Sequence, residues 1–303
     1  ETSITIHQAR GSCAFAAFPF EGSSLCLTFE GNSMKLALRF IRREAVVLSL
    51  LFAIGAPGSV FADSAADPSD AKARAVLRQM TDHLAQQKNF TLKATNTVEV
   101  VLVSGQKLQF DSASEVAVAR PNKMQAARVG DLEQQAFVYD GQKLSVSSQN
   151  DGNPYYATVA APPTLEGALD FARESLDIVA PAGDLLYANA YDILMEDVIS
   201  GMYVGAGTVG GVRCHHLAFR GTQTDWQIWI EDGARPLPRK MVITSKWTTG
   251  APQYTVTTSD WNMAPKLAAE RFKFVPPKDA VQLDFIAPAA APALSRKSTA
   301  EGR

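Results

Sequence analysis

Three consecutive β-strands are predicted by the stretch Gly210-Gly-Val-Arg-Cys-His-His-Leu-Ala-Phe-Arg220, Asp225-Trp-Gln-Ile-Trp-Ile-Glu231 and Met241-Val-Ile-Thr-Ser-Lys246. Asp232-Gly233, between the second and third strands, favours a hairpin because glycine adopts positive φ without steric cost. Successive side chains of a strand point to opposite faces. One face of the second strand is therefore apolar, with Trp226, Ile228 and Ile230. The other face carries Gln227, Trp229 and Glu231. This pattern indicates an antiparallel sheet that covers something apolar.

The same two-residue period extends through most of the chain. Strands are predicted over residues 90–103, 106–119, 123–129, 135–139, 143–147, 155–159 and 254–261, with shorter pieces at 272–277 and 281–286. The connections are short, and Asp140-Gly141 is a second hairpin signal. Local connections between long strands are typical of an antiparallel meander.

Three helices interrupt this meander. The first is predicted over residues 69–87 with Ser69 as its N-cap, the second over 165–178 with Thr164 as its N-cap, and the third over 184–199. Residues 201–211 are rich in glycine but lack the Lys-Ser/Thr pair of a phosphate-binding loop, so they are interpreted as a flexible hairpin loop. The predicted fold is mainly β (α+β): a curved antiparallel sheet, or incomplete β-barrel, with helices covering its concave face.

Residues 34–62 have the three regions of a secretory signal peptide. Four basic residues precede an apolar run at 45–56, and small residues follow it up to Ala62. The run is shorter than the ~20 residues that a membrane-spanning helix needs. We therefore expect cleavage after Ala62 and a periplasmic protein that does not span the membrane, with an uncleaved anchor as the alternative. Residues 1–33 are interpreted as an upstream leader that results from a mis-assigned start.

The rest of the chain, residues 63–303, divides into one domain and a C-terminal tail. Residues 63–286 are predicted to form a single half-barrel domain, and the Ala/Pro-rich residues 287–303 are predicted to be disordered. The composition is that of a globular protein, with 46% hydrophobic and 20% charged residues. The net charge of −2 does not favour a nucleic-acid partner.

Cys214-His215-His216 is the segment that most resembles a metal site, since thiolates and imidazoles bind zinc and copper. On a strand, however, Cys214 and His216 share a face and His215 takes the other, so at most two ligands converge. The same geometry makes Cys214 a poor candidate for a catalytic nucleophile, because His215 points away from its sulfur and His216 lies alongside rather than within reach. No Gly-x-Ser-x-Gly motif of a serine hydrolase occurs. We expect neither a cofactor nor enzymatic activity, and Cys214 and His216 remain the weak candidates for a metal.

Apolar and aromatic side chains provide the stronger binding signal. Many of these side chains lie on the predicted strands of the C-terminal half, and Leu194 and Met195 lie on the third predicted helix. Core packing explains each of them individually, whereas together they are compatible with an apolar cavity in a curved sheet. The predicted lining residues are Phe219, Trp226, Ile228, Trp229, Trp247, Leu194 and Met195.

The three-strand segment resembles the signature of a bacterial domain-of-unknown-function family of predicted periplasmic proteins. The resemblance is carried by residues 211–220, 225–231 and 235–244 and covers most of 70–286. That family is similar in fold to the LolA and LolB outer-membrane lipoprotein carriers, and residues 272–280 resemble the ending of those carriers. The resemblance implies an incomplete barrel that holds acyl chains beneath helices. No lipid-contacting position of the carriers matches a motif in this chain.

Three functions follow from these observations. The first is a periplasmic protein that holds a lipid, a lipoprotein acyl chain or another apolar ligand on the concave side of the half-barrel. The second is an envelope sensor or scaffold that binds another protein. The third, a metal-dependent enzyme using Cys214 and His216, has the least support.

Overall fold

The computed structural model describes residues 67–131, 134–150, 153–178 and 180–285, together with two short strands, β1 (Phe18–Phe20) and β2 (Ser23–Leu25), which pair antiparallel. The segments interpreted as a signal peptide (34–62) and as a disordered tail (287–303) lie outside the described residues, so those predictions stand untested.

Twelve strands form one curved, unclosed sheet. Their order across the sheet is β14-β8-β7-β6-β5-β4-β3-β13-β12-β11-β10-β9, so β14 and β9 are its edges. All neighbours are antiparallel except β14, which runs parallel to β8. The strands are β3 (Asn89–Val101), β4 (Lys107–Ala119), β5 (Lys123–Gly130), β6 (Gln134–Tyr139), β7 (Lys143–Asn150), β8 (Asn153–Ala160), β9 (Val198–Val209), β10 (Val212–Gly221), β11 (Thr224–Glu231), β12 (Pro238–Ser245), β13 (Gln253–Asn262) and β14 (Val281–Gln282).

Alternating burial along the strands confirms the predicted two-residue period. In β11, Trp226, Ile228 and Ile230 are buried, whereas the residues between them are half-buried. Both predicted hairpins are present, since β6 pairs with β7 around Asp140-Gly141 and β11 pairs with β12 beyond Asp232. The predicted mainly-β curved sheet is therefore confirmed.

The first two predicted helices are present with small changes at their ends. Helix α1 (Pro68–Ala85) begins after Asp67, whose carboxylate accepts a hydrogen bond from the Ser69 backbone N–H. Asp67 is thus the N-cap, and the prediction of Ser69 was wrong, because Pro68 occupies the first helical position, where its missing N–H costs nothing. Helix α2 (Leu165–Ser175) has the predicted Thr164 cap, which accepts from the Gly167 N–H.

The predictions of a third helix over residues 184–199 and of a flexible glycine-rich loop were both wrong. Residues 184–199 instead contain a 3-10 turn (Gly183–Leu186), a short helix α3 (Ala190–Met195) and the start of β9. Residues 201–209 of the glycine-rich stretch belong to β9, which pairs with β10 along its length, and Gly210 and Gly211 form the turn between the two strands. An ideal Cβ on Gly201 would lie 2.8 Å from the Phe219 ring. Here glycine therefore permits close packing of a strand rather than flexibility, which no local pattern reveals.

The predicted strand pieces near the C-terminus are mostly absent from the described structure. Residues 272–277 begin within a 3-10 turn (Ala269–Phe272) and continue without strand pairing, and only Val281–Gln282 of 281–286 pairs with β8. Two prolines at 276–277 cannot donate backbone hydrogen bonds, which disfavours ladder formation.

One apolar core lies between the sheet and the helices. Helix α1 contributes Ala73, Leu77 and Met80, and α2 contributes Leu165 and Ala168, all at most 1% exposed. These side chains contact the inner face of the sheet, including Phe90 and Phe219. The helices therefore cover the inner face, as predicted, and we call this face the concave face.

Candidate binding face

Cross-strand pairing arranges the concave face into rows. Residues directly opposite on neighbouring strands share a face, so the register identifies which side chains lie side by side. The row nearest α2, here the first apolar row, crosses β3 to β8 and consists of Phe90, Val118, Met124, Tyr139, Leu144 and Val159. Most of its members are buried, and all are apolar or aromatic.

The adjacent row is also apolar but is less covered. This second apolar row consists of Leu92, Val116, Ala126, Phe137, Val146 and Ala157. Leu92 is buried, whereas the other five are half-buried. The apolar surface of the concave face thus continues towards β8, beyond the part that belongs to the packed core.

A polar row follows immediately. From β4 to β8 its members are Ser114, Arg128, Gln135, Ser148 and Tyr155. The Arg128 guanidinium donates a hydrogen bond to Gln135 Oε1. The concave face therefore changes from apolar to polar between one row and the next.

A buried hydrogen-bond network adjoins the polar row. The Tyr254 hydroxyl donates to Asn96 Oδ1 at 2.7 Å, and Asn96 Nδ2 donates to Ser114 Oγ at 2.8 Å. Burial raises the pKa of Tyr254 to about 12, and the positive charge of Arg128 opposes this rise. The phenol consequently remains a neutral hydrogen-bond donor, and Arg128 is near enough to influence it.

A mostly buried arginine joins the sheet to the helices at the other end of the concave face. Arg120, at the end of β4, donates from Nη1 to Glu166 Oε1 in α2 at 2.9 Å. It also donates from Nη2 to the Leu186 carbonyl oxygen at 2.5 Å. The Arg120 side chain is only 12% exposed. One side chain thus holds both α2 and the 3-10 turn in place.

The N-terminus of α1 is attached to the edge strand β9. Asp70 accepts hydrogen bonds from the Gly201 backbone N–H and, at 2.5 Å, from Arg74 Nε. Ser69 Oγ accepts from the Tyr203 N–H at 3.0 Å. These contacts satisfy backbone donors on an edge that would otherwise be open to strand addition.

The structure separates the residues that the sequence placed in one cavity. Phe219, Trp226, Ile228 and Leu194 belong to the packed core, and Met195 packs against it. Trp229 lies on the opposite face of β11, stacked on His216 with ring centroids 4.0 Å apart. Trp247 is 75% exposed in the turn after β12 and donates to the Thr222 carbonyl. Trp229 and Trp247 therefore do not share a surface with the other five.

Cys214 and His216 share one face of β10, as their spacing predicts, and that face is the outer face of the sheet. Cys214 is fully buried, and burial raises the pKa of its thiol. His216 Nε2 is within 3.0 Å of Gln227 Oε1. Within the described ranges, no three His, Cys, Asp or Glu side chains converge in a way that suits a metal ion.

Sequence reasoning missed Arg120, Arg128 and Gln135. Arg128 and Gln135 fall on alternate positions of short strands, and only the register shows that they continue a row. For Arg120 the sequence contains no comparable signal, because its partners are 46 and 66 residues away.

Among the described residues, one open cleft lies at the strand ends near the β6–β7 turn, and another lies over the central strands β3 and β4. The larger, of about 290 Å³, lies between residues 122–123, 140–142 and 269–273, and the smaller is about 140 Å³. Both are below the usual size of small-molecule sites. The concave face therefore remains the main candidate surface.

Residues 73–286 match the family described as "Predicted periplasmic protein (DUF2092)". The chain belongs to this family. The match confirms the resemblance expected from residues 211–244 and the periplasmic location that the family description gives. Among the described residues of this DUF2092 protein, no helix is both long and apolar enough to cross a membrane. No curated protein sequence matches the chain.

Several solved structures are similar to this DUF2092 protein. LprF from Mycobacterium bovis has 14% identity and a TM-score of 0.41, with 70% of this chain and 99% of that chain covered. Mycobacterium tuberculosis lipoprotein LppX has 13% identity and a TM-score of 0.36, with 66% and 100% covered. A LolA superfamily protein from Nitrosomonas europaea has 13% identity and a TM-score of 0.34, with 67% and 97% covered.

Proposed function

We propose that this protein binds a lipid, a lipoprotein acyl chain or another apolar ligand on its concave face and that it does so without catalysis. The observation that carries this proposal is the second apolar row. Five adjacent side chains on the inside of a curved sheet, from Val116 to Ala157, are apolar yet only partly covered. An apolar surface of this kind favours an apolar partner.

Burial of an acyl chain supplies the binding energy. Removing apolar surface from water contributes about 25 cal/mol per Å², or about 0.8 kcal/mol for each buried methylene. A ligand lying across the second apolar row would cover Ala126, Phe137 and Val146, which remain accessible beside the packed core. A preformed surface keeps the ordering cost of binding low.

Movement of the helices would control the extent of this surface. Helix α2 and the 3-10 turn are joined to the sheet through Arg120, whereas α1 is joined through Ser69 and Asp70. These polar contacts are few and specific. Displacing α2 would expose the first apolar row and enlarge the binding surface, and its return would displace the ligand.

Native mass spectrometry of protein purified from a periplasmic extract without detergent tests the proposal. We expect an added mass of several hundred daltons that organic extraction removes. A bare protein mass, together with failure to bind acyl compounds in vitro, would contradict it. A stoichiometric protein adduct would instead favour the scaffold function, and an added mass equal to a metal ion would favour the enzyme.

A substitution pair locates the ligand. Phe137→Asp places a charge in the second apolar row and should abolish the added mass. Val129→Asp is the matched control, because Val129 is 55% exposed and lies on the adjacent strand β5 with its side chain on the opposite face of the sheet. Equal loss of ligand in both variants would exclude the concave face as the site.

A further inference from the structure

The second apolar row continues beyond β8 to the residue that follows β14. The two strands pair in parallel with Gln282 opposite Tyr156, and the Leu283 N–H donates to the Tyr156 carbonyl oxygen at 2.8 Å, which continues the ladder by one residue. Since residues paired across neighbouring strands share a face, Leu283 lies beside Ala157 on the concave face. Leu283 is 48% exposed. It therefore adds a sixth partly covered apolar position to the five half-buried positions of the row.

Both long sides of this row are closed to a hydrocarbon chain. On the side towards α2, most members of the first apolar row are buried in the packed core. On the other side lies the polar row, and covering it with hydrocarbon would remove water from its polar groups at a cost in free energy. Rows on one face are two residues apart, or about 7 Å along a strand. Because carbon atoms in contact lie about 4 Å apart, this strip has room for one hydrocarbon chain.

The two ends of the row differ from each other. At β3 the row ends at Leu92, which is 8% exposed and belongs to the core. At the other end, Leu283 directly follows β14, which is an edge strand of the sheet. A chain lying along the row would therefore be stopped at β3, whereas its other end would pass over the open edge into solvent.

We propose that this row sets the chain length of the ligand and holds one straight acyl chain of about 19 carbons, with the methyl end near Leu92 and the head group beyond β14. This inference rests on the proposed function and specifies the length and orientation of the chain. Neighbouring strands are about 4.8 Å apart, so the five intervals from Val116 to Leu283 span about 24 Å. An extended chain advances about 1.25 Å per carbon, since C–C bonds of about 1.5 Å meet at a tetrahedral angle.

Competition between lipids that differ only in chain length tests the inference. The purified protein is incubated with an equimolar mixture of lysophosphatidylcholines whose single saturated chains range from decanoyl to tetracosanoyl, and the lipids retained after gel filtration are quantified by mass spectrometry. We expect retention to rise about twofold with each added methylene, because an open face covers about half of the chain surface. The rise should stop at about 19 carbons, since further methylenes extend past Leu283 into water.

Two substitutions should lower this chain-length limit by different amounts. Leu283→Ser removes the last apolar position, so the limit should fall by about four carbons. Ala157→Trp fills the row one strand further in, so the limit should fall by about eight carbons. Val281→Ser is the matched control, because Val281 is a 62% exposed aliphatic residue of β14 that lies beside Tyr155, in line with the polar row. This variant should keep the limit of the unsubstituted protein.

The outcomes separate this inference from the proposed function. An identical chain-length limit in the unsubstituted protein, Leu283→Ser and Ala157→Trp would overturn the assignment of the row, while the proposed function stands because lipid is still retained. Retention that keeps rising up to the tetracosanoyl chain would overturn it in the same way. Failure of the unsubstituted protein to retain any of the lipids would overturn both.

Discussion

Arg120 Nη1 lies 2.9 Å from Glu166 Oε1, and this ion pair joins the end of β4 to the first turn of α2. The two side chains are 12% and 31% exposed, so water screens the pair only partly. Since Arg120 also donates to the Leu186 carbonyl, its guanidinium organises two segments that are distant in sequence. Arg120 thus adds a polar link between the sheet and α2 to the core packing of Leu165 and Ala168.

Replacing Arg120 by methionine should lower the free energy of unfolding by about 2 kcal/mol, because Glu166 and the Leu186 carbonyl lose their partner in a partly dry environment. Urea denaturation measures the change. Arg173→Met is the control. Arg173 is an ion-paired arginine of α2 itself, but its side chain is 41% exposed, so its replacement should cost less than about 1 kcal/mol. Equal effects of the two substitutions would contradict this role of Arg120.

The close approach of α1 to β9 depends on Gly201. A Cβ at this position would lie 2.8 Å from Asp70 Oδ1 and 2.8 Å from the Phe219 ring. Gly201→Ala should therefore cost about 1–3 kcal/mol through steric overlap. Gly233→Ala is the matched control, since a Cβ there meets no atom within 4 Å. Thermal unfolding of both variants tests the prediction, which fails if Gly201→Ala is as stable as Gly233→Ala.

Asp70 should make stability depend on pH in the acid range. The hydrogen bond from Arg74 lowers the pKa of this carboxyl below its usual 3.8, and the hydrogen bond from the Gly201 N–H acts in the same direction. A group with a lowered folded-state pKa stabilises the protein above its unfolded-state value, and this stabilisation is lost as the pH falls towards the folded-state value. We therefore expect part of the stability to disappear below about pH 4.

The Asp70→Asn variant measures this contribution by urea denaturation between pH 3 and pH 7. It should be less stable than the unsubstituted protein at pH 7, and its stability should change less between pH 5 and pH 3. Asp82→Asn tests the same charge change at an exposed position of α1. An identical pH dependence in Asp70→Asn and the unsubstituted protein would exclude the predicted coupling.

Trp226 and Trp247, which the sequence analysis placed in one cavity, should differ in their contribution to stability and in their accessibility to a quencher. Trp226 is 6% exposed and stacks on Phe219 with centroids 4.2 Å apart, whereas Trp247 is 75% exposed. Trp226→Ala should cost about 3–5 kcal/mol by leaving a cavity, and Trp247→Ala about 1 kcal/mol or less. Acrylamide quenching provides a second measurement, because Trp247→Phe should remove the most accessible fluorescence. If the fluorescence lost in Trp247→Phe is instead the fraction that acrylamide does not quench, the Trp247 indole is not exposed.

Local pattern alone was enough to predict most of the sheet. Alternation in residues 225–231 and the two Asp-Gly pairs identified strands and hairpins, because pleat geometry and turn chemistry act between near neighbours. Of the two glycines, Gly141 adopts the positive φ that the pattern predicts. The same reasoning failed at β9. Gly201, Gly205 and Gly207 suggest a flexible loop when they are considered alone, yet they pair with β10. The hydrogen bonds of an edge strand depend on its neighbour, which local sequence does not show.

The sequence by itself determined that this chain forms a curved antiparallel sheet with one apolar face, since side-chain period and turn chemistry are local properties. The tertiary structure alone decided which side chains meet on that face. It placed Trp247 outside the core, brought Arg120 to Glu166 and aligned Arg128 with Ser114 and Gln135. Register and helix docking arise from contacts between distant segments, and a one-residue shift would reverse every face.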